Sequence, residues 1–272
     1  MKSLRKQILL SAIASGGGHV APSFSSLEIL WTLYGEGVMN VRSQEPQWEG
    51  RDRLVLSKGH AALALYACLA RVGFFPQEEL WTFARPGSRL GGEPMIGIPG
   101  VEMATGSLGH GLSYGVGTAL GMKKKNIGAE TYVLVGDGEC QEGSIWEAVG
   151  AATALKLDNL TVILDCNRLQ KMDLVDSVYG NPDWVSRWKS CGWQVEEVDG
   201  HDVDALKSAF LRPHEAGKPK LVLARTVKGH GVSVMENVIN WHYRLPNKRE
   251  MKACMAELDI SQEELDYAKS LH

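Results

Sequence analysis

Apolar residues recur at spacings of three and four in SSLEILWTLY (25–34). The serines at its start suit an N-cap, so the pattern predicts a helix over 25–34. Residues 59–72 are small and apolar on most faces, which predicts a buried helix. PQEELWTF (76–83) predicts a short helix with proline at its start. The N-terminal MKSLRKQILLSAIAS is basic and then apolar, like a signal peptide. Its polar interruptions, and the Gly-Gly-Gly-His that follows, suit a short amphipathic helix better.

The later half alternates between two periods. Strand-like TYVLVG (131–136) precedes a helical IWEAVGAATALKL (145–157), and strand-like LTVILD (160–165) follows. Helix over 183–192, strand over 193–198, helix over 203–212 and strand over 220–226 complete the series. Such alternation implies βαβ units and a parallel sheet flanked by helices, an α/β fold. Ligands of such sheets sit at the carboxyl ends of the strands.

Between these regions, residues 86–117 are dense in Gly and Pro and poor in charge. A flexible surface loop is one reading. A long loop that faces a ligand is the other, and the scarcity of charge favours it.

Composition narrows the options. The 272 residues are 44% hydrophobic and 22% charged, enough for one large soluble domain over 1–272. The net charge of −3 argues against nucleic-acid binding through the phosphate backbone. The most apolar run, 61–70, is half the length that a membrane span needs. Five cysteines without a CxxC pair read as reduced thiols in a cytoplasmic protein.

Candidate chemistry appears at LVGDGECQEG (134–143), where an apolar strand ends with Asp137 between two glycines. Asn167 ends the next predicted strand thirty residues later, at the same sheet edge. Asp and Asn oxygens are hard ligands, and two of them plus a backbone carbonyl leave room for phosphate oxygens on Mg²⁺. A strand-end turn with Asp137 as a helix cap is the alternative.

Several segments together resemble the amino-terminal region of transketolase. These are GGGHVAPSFSSLEIL (16–30), RDRLVLSKGHAALALYACL (51–69), GVEMATGSLGHGLS (100–113), the GDG-to-Asn pair, TVKGHGVSVME (226–236) and WH (241–242), in order. The resemblance implies a thiamine diphosphate-binding fold, a PP-type domain, with Mg²⁺, Ca²⁺ or Mn²⁺. It implies Asp137, Asn167 and the Leu169 carbonyl as metal ligands. Gly138 and His60 match diphosphate contacts. Gly106, Ser107 and Leu108 match the segment along the pyrimidine and thiazolium. Glu142 matches a glutamate between the two active sites of the dimer. His19 and His242 match substrate-facing histidines that move protons, His242 also meeting the cofactor. His201, His214 and His272 lie outside these motifs and read as satisfied or solvated side chains.

The implied reaction breaks the C2–C3 bond of a ketose and passes the two-carbon unit to an aldose. The chain's length matches the small subunit of a split transketolase. A separate subunit with the pyrimidine-binding and C-terminal domains is then expected, in a heterotetramer of two copies each. Three positions depart from the family pattern: Glu93 stands where a substrate-side histidine is usual, His110 where glutamine is usual, and Tyr243 where glycine is usual. Glu93 points to a specialised anionic ketose, with harmless drift and a shift of the loop as the other reading. The alternatives are a deoxyxylulose phosphate synthase-like enzyme, a 2-oxoacid dehydrogenase subunit or a non-catalytic, regulatory subunit.

Overall fold

The computed structural model describes residues 1–180 and 182–272. Five strands build one sheet in the order β1-β2-β3-β5-β4, with every neighbouring pair parallel. They are β1 (Arg53–Leu56), β2 (Thr131–Gly136), β3 (Leu160–Cys166), β4 (Gln194–Asp199) and β5 (Lys220–Arg225). Strands β2 and β3 are buried along their whole length, which explains their near-continuous apolar sequence.

Ten α-helices accompany the sheet among the described residues: α1 (Lys2–Ser15), α2 (Val20–Tyr34), α3 (Ala62–Arg71), α4 (His110–Lys124), α5 (Gly143–Ala154), α6 (Val175–Tyr179), α7 (Trp184–Ser190), α8 (Val203–Leu211), α9 (Lys248–Leu258) and α10 (Gln262–Ser270). Alternate strand residues feed two separate cores. Leu54, Tyr132, Leu134, Ile163 and Val222 pack with α1, α2, α3 and α8. Val55, Val133, Val135, Val162 and Leu221 pack with α4, α5 and α7 on the other face. The predicted parallel α/β sandwich is therefore the observed one. No helix among the described residues is long and apolar enough to cross a membrane.

Three local expectations are corrected. Helix α2 begins at Val20 rather than at the serines, with His19 at its N-cap and Pro22 in its first turn. Ser25 and Ser26 instead turn inward from mid-helix. Residues 77–82 form a 3₁₀ helix after Pro76. The long loop ends at Gly109, because α4 occupies 110–124. Gly111 and Gly115 lie in that helix, where a side chain would overlap Ser57 and Val133 respectively. These glycines let α4 press onto the sheet, at a cost of roughly 1 kcal/mol of helix propensity each.

Candidate functional site

The carboxyl ends of four strands deliver polar groups to one edge. Lys58 follows β1, Asp137 follows β2, Asp165 and Asn167 end β3, and Thr226 and Lys228 follow β5. Gly136 pairs with Asp165 in the register, so the β2 and β3 ends are level. This places Asp137 and Asn167 at the same edge.

Asp137 is almost fully buried. Its Oδ1 accepts from the Gly138 N–H at 2.7 Å and its Oδ2 from the Arg168 N–H at 2.5 Å. Burial and the nearby Asp165 charge push its carboxyl up to about 7 against those hydrogen bonds. Asn167 Oδ1 accepts from the Leu169 N–H at 3.0 Å. The Leu169 carbonyl meets only a long contact of 3.5 Å from Lys228 Nζ. Asp137, Asn167 and Leu169 all line one cavity of about 310 Å³, shared with Lys58, His60, Leu108, Gly138, Lys171 and His242. A carboxylate whose charge is disfavoured by burial and by Asp165, beside two further hard oxygens, suits a divalent cation.

Gly138 has an ordinary helical φ of −65°. Its lack of a side chain serves close approach instead, since a Cβ there would sit 3.0 Å from Gln170 Oε1. A 3₁₀ turn over Glu139–Gln141 separates Asp137 from α5, so no long helix starts directly behind the Gly-Asp-Gly turn.

Three imidazoles converge. The ring centroids of His19 and His60 are 5.6 Å apart, His19 and His242 5.3 Å, and His60 and His242 5.4 Å. Burial, reinforced by Lys228, Lys171 and Lys58, holds His19 down at about 4. Burial, then Lys228, then His19, hold His242 at about 3. Burial and Lys58 likewise keep His60 well below its usual value. The cause, beyond burial, is an excess of cationic neighbours, and a diphosphate among them would relieve it. Lys228 Nζ donates to His242 Nδ1 at 3.1 Å, which leaves the His242 proton on Nε2.

The remaining site residues of the sequence pattern fall in different places. Gly106 has φ +143°, and any side chain on it would overlap the Glu93 carboxylate. Glu93 thus lies over the 106–108 segment. Its carbonyl accepts from the Tyr66 hydroxyl at 2.9 Å, and no donor among the described residues reaches its carboxylate. Partial burial raises its pKa. Leu108 lines the cavity, whereas Ser107 is exposed. Glu142 is also exposed, at the start of α5, and does not line the cavity.

Sequence reasoning passed over four buried groups that hold this edge together. Asp165, with no exposed surface, accepts from Lys58 Nζ, from Ser25 (2.7 Å) and Ser26 (2.9 Å), from Thr226 Oγ1 and from Asn167 Nδ2 (3.3 Å). Burial opposes its charge, but Lys58 and the hydroxyls hold its carboxyl far below the usual range. Asp165 therefore orients Asn167 from behind. Glu139 accepts from Ser57 Oγ and from the N–H groups of Gly109 (2.8 Å) and Gly136 (3.1 Å), tying β1, β2 and the glycine-rich segment together. Lys58 and Lys228 are each 1% exposed. The only sequence signal for them was their place inside SKGH and TVKGHG, just past apolar strands.

The expected family follows from a direct comparison. Residues 6–264 match the family described as transketolase, thiamine diphosphate binding domain. The chain belongs to the transketolase family. One subunit of an apulose-4-phosphate transketolase from Phocaeicola vulgatus is 39% identical over 96% of this chain and 93% of its own length. One subunit of a 6-deoxy-6-sulfo-D-fructose transketolase from a Clostridium species is 39% identical, covering 94% of each chain. The crystal structure of a Campylobacter jejuni transketolase superposes with a TM-score of 0.86 at 28% identity, over 99% of this chain and 45% of that one. The chain thus spans less than half of that transketolase. It corresponds to the amino-terminal subunit of a split, thiamine diphosphate-dependent transketolase that transfers ketol units. The site residues above lie on transketolase's diphosphate-binding half.

A second polar cluster lies apart from this cavity. Glu28, His201 and His230 bring three donor atoms within 4.8 Å. His201 Nε2 accepts from the Val227 N–H at 2.8 Å, so its proton sits on Nδ1, which is 3.0 Å from Glu28 Oε2. Arg5 Nη2 donates to the other Glu28 oxygen at 2.5 Å, and the His230 ring stacks on His201 at 3.7 Å. Both His201 nitrogens are thereby used, which marks a satisfied, partly buried network. His214 is satisfied too, by Glu130 at 2.7 Å. His272 packs on Gly16.

Proposed function

We propose that residues 1–272 act as one thiamine diphosphate-binding domain and supply half of a transketolase active site. A separate subunit carrying the pyrimidine-binding and C-terminal domains supplies the other half, in an assembly of two copies each. The observation that carries this is the single cavity that gathers Asp137, Asn167 and Leu169 with Lys58, Lys171, His60 and His242. Hard oxygens beside a cationic wall are what a metal–diphosphate group requires. The five free cysteines suit a cytoplasmic setting.

Asp137, the Asn167 carbonyl oxygen and the Leu169 main-chain oxygen would hold Mg²⁺, with Ca²⁺ or Mn²⁺ as substitutes. The Gly138 N–H and His60 would meet the diphosphate. Gly106, Ser107 and Leu108 would run along the pyrimidine and thiazolium, and Glu142 would face the neighbouring active site across the assembly. When bound, thiamine diphosphate supplies the carbanion chemistry that cleaves the ketose and carries its two-carbon unit. His242, protonated on Nε2, would donate to a substrate oxygen, and His19 beside it would accept or return a proton. Chelation tests the metal's part: dialysis against EDTA should abolish saturable thiamine diphosphate binding by the two-subunit complex, and Mg²⁺ should restore it. Unchanged binding after chelation would remove Asp137, Asn167 and Leu169 from this role.

The substrate reading rests on Glu93. Its carboxylate lies over Gly106 without a protein donor among the described residues, so it would accept hydrogen bonds from sugar hydroxyls. Two of the relatives are named for a phosphorylated and a sulfonated sugar. A specialised anionic ketose as donor is consistent with both facts. Glu93→His should shift donor preference toward xylulose 5-phosphate by about tenfold, the size of one hydrogen-bond contribution. An unchanged ranking of donors would show that Glu93 is incidental to specificity.

A further inference from the structure

The Arg5–Glu28–His201 network has two free ends, and both meet one short backbone segment, residues 227–230. His201 Nε2 accepts from the Val227 N–H at 2.8 Å, and Arg5 Nε donates to the His230 carbonyl at 2.7 Å. Between these ends, the Gly229 N–H donates to the Ala21 carbonyl in the first turn of α2 at 3.0 Å. The segment lies past Arg225, where the parallel pairing of β5 has stopped, so its backbone groups need partners from elsewhere. Glu28 binds the two ends together, since one oxygen takes Arg5 and the other the His201 Nδ1 proton. Burial opposes the Glu28 charge, yet His201 and Arg5 hold its carboxyl below the usual value. Lys228 sits inside this frame and is 1% exposed. Its ammonium reaches His242 Nδ1 at 3.1 Å and the Leu169 carbonyl at 3.5 Å, and both residues line the cavity.

We propose that His201 is a positioning residue for Lys228: through the Val227 N–H, and backed by Glu28 and Arg5, it sets the backbone from which the Lys228 ammonium reaches His242 and Leu169. Val227 directly precedes Lys228, so a shift of its N–H toward another partner carries the lysine with it. The role needs both imidazole nitrogens, one accepting and one donating, which a neutral ring with its proton on Nδ1 provides. Loss of the acceptor leaves the Val227 N–H without a partner, and only movement of the segment restores one. The hold on Lys228 stands on these contacts alone. Its consequence for the cofactor rests on the reading that the cavity takes a metal–diphosphate group.

Two variants of His201 separate its contacts. His201→Gln keeps a donor and an acceptor at similar spacing, whereas His201→Asn can still donate to Glu28 but falls short of Val227. In the full chain with ¹⁵N-labelled histidine, the His242 Nδ1 resonance is assigned by its loss in His242→Asn. In His201→Asn it should move to its position in Lys228→Met, where the donor is gone, and in His201→Gln it should stay at wild type. In the two-subunit complex with Mg²⁺, His201→Asn should weaken thiamine diphosphate binding about tenfold, the range for groups that support a metal site. Lys228→Met with His201→Asn should bind no more weakly than Lys228→Met alone, because His201 acts through that lysine. An unmoved His242 resonance in His201→Asn overturns the proposal. So does an equal further loss of affinity in the Lys228→Met background, which a merely structural role would give. If His201→Asn does not fold, His201→Phe, which keeps a ring against His230, takes its place under the same criteria. A wild-type complex that binds no thiamine diphosphate overturns the cofactor reading, and the His242 resonance then decides the hold on Lys228.

Discussion

Asp137→Asn should lower thiamine diphosphate affinity of the assembled enzyme by about 100-fold or more, since loss of groups merely supporting a metal ligand already costs roughly 10–100-fold. The side chain keeps its volume but loses its charge. One amide oxygen can still accept from the Gly138 or Arg168 N–H, which now share the carboxylate. Loss of the second acceptor costs about 1–3 kcal/mol. Relief of a buried charge that burial and Asp165 push up to about 7 works the other way. Stability should therefore move by no more than about 2 kcal/mol while binding collapses. Calorimetric titration with the cofactor and a urea melt on the same sample separate the two. Full cofactor affinity in Asp137→Asn would mean that the charge of Asp137 is not used for the metal.

The second large effect concerns stability. Asp165→Ala should destabilise the fold by about 3–5 kcal/mol, because it leaves the Lys58 ammonium buried without its carboxylate. The two side chains are 1% and 0% exposed. The hydroxyls of Ser25, Ser26 and Thr226 lose their shared acceptor at the same time. Adding Lys58→Met should recover much of the loss, as the uncompensated charge then disappears. The check is the urea midpoint of each variant. A loss below about 1 kcal/mol in the single variant would show that water reaches and solvates Lys58.

The sheet was readable where strands are buried on both faces. TYVLVG and LTVILD are near-continuous apolar runs, and each ended within a residue of its predicted bound. Strand β1 escaped because four residues between Arg51-Asp52 and Ser57-Lys58 carry too little pattern. Helix α4 escaped because its glycines, which fit Ser57 and Val133, look like loop residues in sequence. Ser25 and Ser26 misled for a related reason. Hydroxyls beside an apolar run suggest a cap, but their acceptor, Asp165, lies about 140 residues away. No local pattern reports a partner so remote.

The site was legible in its motifs and opaque in its support. Asp137 and Asn167 stood out because a polar group at the end of an apolar strand needs a reason. Lys58 and Lys228 did not, since a lysine reads as surface until the structure buries it. The three histidines were named individually, but their mutual spacing of 5.3–5.6 Å came only from the fold. Their depressed pKa values follow from burial first and from the lysines gathered around them, which no linear reading contains.

The most direct test of a cofactor site shared between two subunits is a reconstitution. Ketol transfer and thiamine diphosphate binding are measured with Mg²⁺ for this chain alone, for its C-terminal partner alone and for the two combined. Transfer should appear only in the combination and should saturate with thiamine diphosphate. Transfer by the isolated chain, or a combined complex that binds no thiamine diphosphate, would contradict it.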